Sequence, residues 1–235
     1  MCTLTYYNTE DNLVITMNRD EKRARSESPP QLKNNLLMPI DDPSAGTWLA
    51  ANQYGVVAAL LNRYDDHNPQ ADSSRGAIIP QILTDNNFAQ AKAALEQLNY
   101  HKYRPYSLLL LSPAEKLRYD WNGQKLESVD LTKEENYFLS SSSWRATEVL
   151  KWRAEQYQDF CQETDFSAQK MIEFHKLQYK DMELWGPFVE RPDTHTKNIC
   201  QLIISAKQLS FMYHDYNAVK QGKPAIENIL KISSD

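Results

Sequence analysis

At 235 residues the chain is long enough to bury a substantial core, and with 41% hydrophobic and 24% charged residues it is not a disordered polymer. A formal net charge of −5 with no Lys/Arg block argues against nucleic acid as a partner. Three scattered cysteines (Cys2, Cys161, Cys200) make neither a disulfide framework nor a CxxC metal site, and the longest apolar runs, 56–61 and 108–111, are too short for a transmembrane segment, so a cytoplasmic protein without a secretory signal is expected.

Residues 1–7 and 13–21 are rich in β-branched and aromatic side chains, and the polar cluster 8–12 between them predicts a β-hairpin. With Tyr7 and Leu13 flanking the turn, antiparallel pairing sets Cys2 opposite Asn18, with Arg19 and Asp20 just beyond. A Cys in second position is small enough for Met1 to be removed, and the mature chain is expected to open on Cys2. That residue then carries a thiol and an α-amine whose pKa lies near ~7.7–8.0. Such an amine takes the proton of its own side-chain nucleophile, as in enzymes with N-terminal Thr, Ser or Cys. Arg19 would favour the thiolate by charge and Asp20 would orient the ammonium. The plainer reading is an incidental Cys followed by a solvated, charged turn.

Residues 22–42, with Pro29, Pro30 and Pro39, read as an irregular surface excursion, in which Asp41 and Asp42 are solvated rather than metal-bound. Residues 46–51 and 56–62 form a second hairpin around Asn52–Gly55, its second strand apolar on both faces. Asn62 lies where that strand leaves the core, placed to donate to an oxyanion or simply to cap a turn. Asp65-Asp66-His67 reads as a polar loop. Pro80 makes the segment 77–83 a helix that is short or begins near it, and the Ala-rich stretch 88–95 is helical. Strands follow at 107–111, 117–121, 124–129 (after the turn Asn122-Gly123) and 137–140. Helices are expected at 145–162, opened by one of Ser141–Ser143, and at 167–181, where His175 reads as a core histidine. The last strand pair is 194–205 and 208–213, and the tail contains one helical stretch, 225–232. Hairpins dominate and no strict βαβ alternation appears, so antiparallel sheets with helices outside are expected in one domain spanning 1–235. With no GxGxxG, Walker or HExxH motif, no cofactor or metal is expected.

Met1-Cys2-Thr3, Asn18-Arg19-Asp20-Glu21, Gly46-Thr47-Trp48-Leu49, Leu60-Leu61-Asn62 and Ser74-Arg75-Gly76 occur in that order. Together they resemble the NRDE family, the transport-and-Golgi-organisation family, densely over the first 80 residues or so and thinly afterwards. The resemblance implies an α+β fold, a four-layer αββα sandwich of two antiparallel sheets of the N-terminal-nucleophile hydrolase type, distantly similar to bile-salt hydrolases, penicillin V acylases and acid-ceramidase-like amidases. It makes Cys2 nucleophile and base, Arg19 and Asp20 its electrostatic partners and Asn62 an oxyanion donor. Asn18, Trp48, Arg75, Ser141 and His195 are the candidate substrate contacts. Two positions depart from the pattern: Ser141 stands where relatives carry an Asn, and Asp193-Thr194-His195 where they carry Gly-Thr-Arg. The function implied is hydrolysis of linear amide or acyl bonds, non-peptide C–N or thioester, through an acyl-Cys2 intermediate on a small-molecule substrate. The alternative is a non-catalytic carrier for a hydrophobic ligand such as haem, a lipid or an acyl group. Nothing in the sequence speaks to oligomeric state.

Overall fold

The computed structural model describes residues 1–64, 71–163, 166–179 and 184–233, so the Asp65-Asp66-His67 loop lies outside the described residues. The opening hairpin is β1 (Cys2–Asn8) and β2 (Leu13–Lys22). Four further strands follow it: β3 (Glu27–Lys33), β4 (Leu36–Asp41), β5 (Leu49–Asn52) and β6 (Val57–Asn62). Helices α1 (Ile78–Leu83) and α2 (Phe88–Glu96) lead to β7 (Tyr106–Leu111), β8 (Lys116–Trp121), β9 (Leu126–Asp130) and β10 (Asn136–Ser141). Then come α3 (Ala146–Glu163), α4 (Ala168–His175), β11 (Thr194–Ile204), β12 (Gln208–Asp215), α5 (Tyr216–Gln221) and β13 (Ile226–Lys231). They build two antiparallel sheets, ordered β10-β1-β2-β11-β12-β13 and β3-β4-β5-β6-β7-β8-β9.

Period-two alternation explains the layers. Leu4, Tyr6, Ile15 and Met17 point from the first sheet into a core shared with Leu49, Ala51, Ala59 and Leu109 of the second. The opposite face of the second sheet, with Ala58, Leu60 and Leu108, is covered by Ile78 and Ile82 of α1 and Phe88 and Leu95 of α2. The opposite face of the first, with Tyr7 and Val14, meets Tyr157 of α3 and Met171 and Phe174 of α4. Each fully buried side chain of this kind contributes about 1.5–3 kcal/mol, so both sheets are held on both faces.

Four expectations are corrected. The turn of the first hairpin is one residue shorter than supposed: Asn8 pairs with Leu13, and Thr9 and Asn12 close the loop through Thr9 N–H to Asn12 O (2.8 Å) and Asn12 N–H to Thr9 Oγ1 (2.9 Å). Cys2 therefore stands opposite Arg19, not Asn18. The irregular excursion at 22–42 is largely the hairpin β3–β4, turned at Asn34 and Asn35, whose φ values of 51° and 59° suit the left-handed tolerance of Asn. Pro29 and Pro30 fit because β3 is an edge strand with a register shift between Ser28 and Gln31. Helix α4 ends at His175 rather than continuing to Asp181, and residues 180–183 lie outside the described residues. The tail stretch 225–232 is the edge strand β13, because the Gly222 left-handed cap ends α5 and its β-branched residues pair with β12.

Candidate active site

Cys2, Arg19, Asp20, Trp48, Asn62 and Arg75 meet at one cleft of about 290 Å³ at the end of the β1–β2 hairpin. Residues directly opposite in an antiparallel ladder share a face, so the Cys2–Arg19 pairing turns both side chains toward the second sheet. Asp20, one residue on, turns to the helical side. Arg19 is 5% exposed and is held from three directions. Its Nη2 donates to Asp41 Oδ1 at 2.6 Å, its Nη1 pairs with Glu27, and its guanidinium lies 4.2 Å from the Trp48 ring centroid. Asp41, expected to be solvated, is instead the anchor of the cleft's cations: it also accepts from Arg25 Nε and Nη2, both at 2.6 Å, and from Ser44. Burial pushes its carboxyl up, but the Arg25 and Ser44 hydrogen bonds and the Arg19 charge outweigh that and hold it below the usual range.

The far wall depends on two glycines. A Cβ on Gly46 would sit 2.6 Å from the Gly76 carbonyl carbon, and Thr47 N–H donates to Gly76 O at 3.0 Å. Only a side-chain-free crossing brings Ser74 and Arg75 beside Thr47 and Trp48. Arg75 is fixed there by Nη1 donating to Pro105 O at 2.8 Å.

Met1 extends the ladder over Cys2. Its ammonium donates to Asp20 O at 3.0 Å and to Tyr64 OH at 3.2 Å, and its carbonyl accepts from Asp20 N–H at 2.9 Å. Cys2 N–H donates to Ser141 Oγ at 3.0 Å, so Ser141 touches the very nitrogen on which an N-terminal nucleophile relies. Asn62 Nδ2 reaches Tyr64 OH at 3.5 Å. Burial pushes the Cys2 thiol up, more than the nearby ammonium and Arg19 lower it. The thiolate expected beside Arg19 is thus disfavoured while Met1 covers it.

Asp20 Oδ1 accepts from Thr196 Oγ1 at 2.7 Å, while its Oδ2 is buried without a hydrogen-bond partner among the described residues. Burial pushes this carboxyl up, and the charges of Arg153, the ammonium and Arg191 and the Thr196 hydrogen bond oppose it. Both arginines are additions to the sequence reading. Arg153, fully buried on α3, donates from Nε to Trp185 O (2.6 Å) and from Nη1 to Ser140 Oγ (3.0 Å) and Thr3 Oγ1 (3.2 Å). Burial lowers its pKa to about 10. One signal marked it: Val149, Arg153 and Tyr157 are four apart, which puts a charge in an apolar stripe. Arg191 places a guanidinium beside Met1, near where the resemblance expected an arginine at the position of His195.

Three candidates, Asn18, His195 and Ser141, do not line the cleft. Asn18 faces α4, giving Nδ2 to His175 O (2.9 Å) and Pro187 O (2.7 Å) and bonding His175 Nδ1 through Oδ1 (2.6 Å). His175 is the expected core histidine, and burial lowers its pKa to about 3. His195, opposite Glu21 in the ladder, lines a separate cavity and lies against Tyr216 at 4.5 Å. Ser141 lines a second cavity of about 340 Å³ beside the first, with Leu61, Leu139 and Leu150 in its wall and Asn62 shared between the two. Among the described residues no cluster of side chains is arranged to hold a metal ion, and no helix is long and apolar enough to cross a membrane.

The search of curated proteins finds no match. Solved structures do match. The Caenorhabditis elegans N-acylethanolamine-hydrolyzing acid amidase ortholog superposes with a TM-score of 0.61 at 10% identity, over 86% of this chain and 92% of that one. The C2A mutant of the conjugated bile acid hydrolase from Clostridium perfringens gives 0.57 at 11%, over 100% and 97%. Penicillin V acylase from Agrobacterium tumefaciens gives 0.54 at 12%, over 92% and 83%. At such identities the likeness is one of fold, that of the N-terminal-nucleophile hydrolases. The family model of Transport and Golgi organisation 2 matches residues 1–213, and the chain belongs to that family.

Proposed function

We propose that this protein is an N-terminal-nucleophile hydrolase of linear amide or thioester bonds in a small-molecule substrate, working through an acyl-Cys2 intermediate. The observation that carries the reading is the pairing of Cys2 with Arg19 on the cleft face, with Ser141 Oγ on the Cys2 nitrogen and Asn62 on the rim. Once Cys2 is the first residue, its amine donates one hydrogen to Ser141 Oγ and keeps a lone pair for the thiol proton. Sγ attacks the acyl carbon, Asn62 Nδ2 donates to the oxyanion, and the proton passes to the departing nitrogen or sulfur as its bond to carbon breaks. Water then cleaves the Cys2 thioester and restores the thiol. Arg19 favours the attacking thiolate, and Asp20 with Arg153 sets the field behind the amine.

A second reading, a carrier for a hydrophobic ligand, is favoured by the cavity walled by Leu61, Leu139 and Leu150. One experiment separates the two. Protein whose intact mass shows Cys2 as the first residue is screened with N-acyl amides and acyl thioesters, alongside Cys2→Ala. Turnover lost in the variant, with an acyl adduct on Cys2 of the wild type, supports the hydrolase. Equal turnover in both refutes the nucleophile, and equal ligand retention without turnover favours the carrier.

A further inference from the structure

We infer that the place filled by Met1 is a substrate subsite for a carboxylate or comparable anionic group, uncovered when Cys2 becomes the first residue. The inference rests on the acyl-Cys2 reading, and adds to it the chemical class of one end of the substrate.

Met1 is 7% exposed, and the groups around it are poorly matched to a thioether. Arg191 Nη1 points at Met1 Sδ from 3.4 Å, and Ser142 Oγ from 3.7 Å. Thioether sulfur is a weak acceptor, so a guanidinium aimed at it is under-used. The rest of Arg191 is occupied: Nε and Nη2 donate to Leu184 O at 3.3 and 2.7 Å, and the Trp144 ring centroid lies 4.6 Å from its Cζ. These contacts leave Nη1 as the donor that faces the Met1 side chain. Tyr64 OH, which accepts from the Met1 ammonium, would be freed to donate.

Charge points the same way. Arg191 and the fully buried Arg153 act on Asp20, Asp193 also acts on Arg191, and Arg153 Nη2 has no hydrogen-bond partner among the described residues. Removal of Met1 takes away the acceptor that Arg191 Nη1 faces and leaves an open space one residue long beside it, directly next to the Cys2 nitrogen. An anion accepts from Arg191 Nη1 in a charge-assisted hydrogen bond; a neutral apolar group leaves that donor unmatched.

The test compares the chain beginning at Cys2 with the chain retaining Met1, each verified by intact mass. Butyrate is titrated while tryptophan emission is followed, with Trp144→Phe identifying the reporter. Saturable binding to the first chain and none to the second is expected; equal binding, or none to either, overturns the proposal. Alkylation gives a second readout. In the chain beginning at Cys2, the ratio of iodoacetate to iodoacetamide rates should be about tenfold higher at Cys2 than at Cys161. Arg191→Gln should abolish that excess, and a ratio unchanged by Arg191→Gln overturns the assignment. A Cys2 inert to both reagents, with butyrate still bound only where Met1 is absent, would uphold the subsite and refute the hydrolase reading instead.

Discussion

Replacing Arg153 by Met should be among the most destabilising single changes in this protein, and its cost should depend on pH. Arg153 is fully buried and makes hydrogen bonds to Trp185 O, Thr3 Oγ1 and Ser140 Oγ, while its charge opposes the desolvation of Asp20. Met keeps the stem but leaves a buried carboxylate with one hydrogen bond, from Thr196, and with the α-ammonium and Arg191 as its remaining compensation. Breaking a buried charge arrangement in this way costs about 3–5 kcal/mol. In a chain of this length that corresponds to a fall in Tm on the order of 10 °C.

The sign with pH follows from linkage. The folded-state pKa of Asp20 is raised, so between its unfolded value near ~3.9 and its folded value the native state holds more protons than the unfolded one. Its contribution to stability therefore falls as pH rises through that window. Loss of Arg153 raises the folded pKa further, so the gap between wild type and Arg153→Met should widen with rising pH and shrink at acid pH, where the carboxyl is neutral. Urea unfolding from pH 4.5 to 8 measures the gap, and titration of groups common to both proteins cancels in the difference. Asp20→Asn in the variant should recover part of the loss at pH 8. A gap independent of pH, together with additive losses in the double variant, would refute the electrostatic account and leave only lost hydrogen bonds.

Gly46→Ala drives a Cβ to within 2.6 Å of the Gly76 backbone, so it should cost about 1–3 kcal/mol by overpacking and displace Arg75 from the cleft; a melting curve and substrate KM report both, and an unchanged Tm would contradict the crossing. Burial lowers the pKa of His175 to about 3 and those of His195 and His214 to about 4, so below the ordinary value near ~6.5 the unfolded state takes up protons that the native state does not. Stability should accordingly decline as pH falls from about 6.5 toward 4, and His175→Gln should flatten that slope in urea titrations. Ser141→Ala removes the acceptor for the Cys2 nitrogen and should lower kcat more than it raises KM, with Ser141→Asn retaining activity, in steady-state assays on the substrate identified by the screen.

Much of the architecture was legible because hairpins announce themselves locally. The Ala-rich segment became α2, capped by Asn87 through Gln90 N–H at 3.0 Å, and Asn122-Gly123 turned β8 into β9 with Gly123 at φ 97°. What escaped were features fixed by distant partners. Arg153 and Arg191 reach Asp20 and Met1 from a helix and a loop, and no spacing in the sequence states that they converge. The tail strand β13 exists because the edge of β12 was open to it, whereas its own residues 225–232 also allow a helix.

The register of the first hairpin differs in kind, because the sequence did contain the answer. Cys2, Leu4 and Tyr6 are the apolar face of β1; Leu13, Ile15 and Met17 are the matching face of β2. Facing pairs must share a side, so an even-numbered residue of β1 has to stand opposite an odd-numbered residue of β2. That parity excludes Asn18 as the partner of Cys2 and admits Arg19, as observed. A slip of one residue would have exchanged the two sides throughout: Asn18 would enter the cleft, and Arg19 would meet α4 where His175 now receives Asn18. The polar pairing Asn18–His175 and the cation in the cleft are thus one fact, set by where the apolar residues of a single hairpin must go.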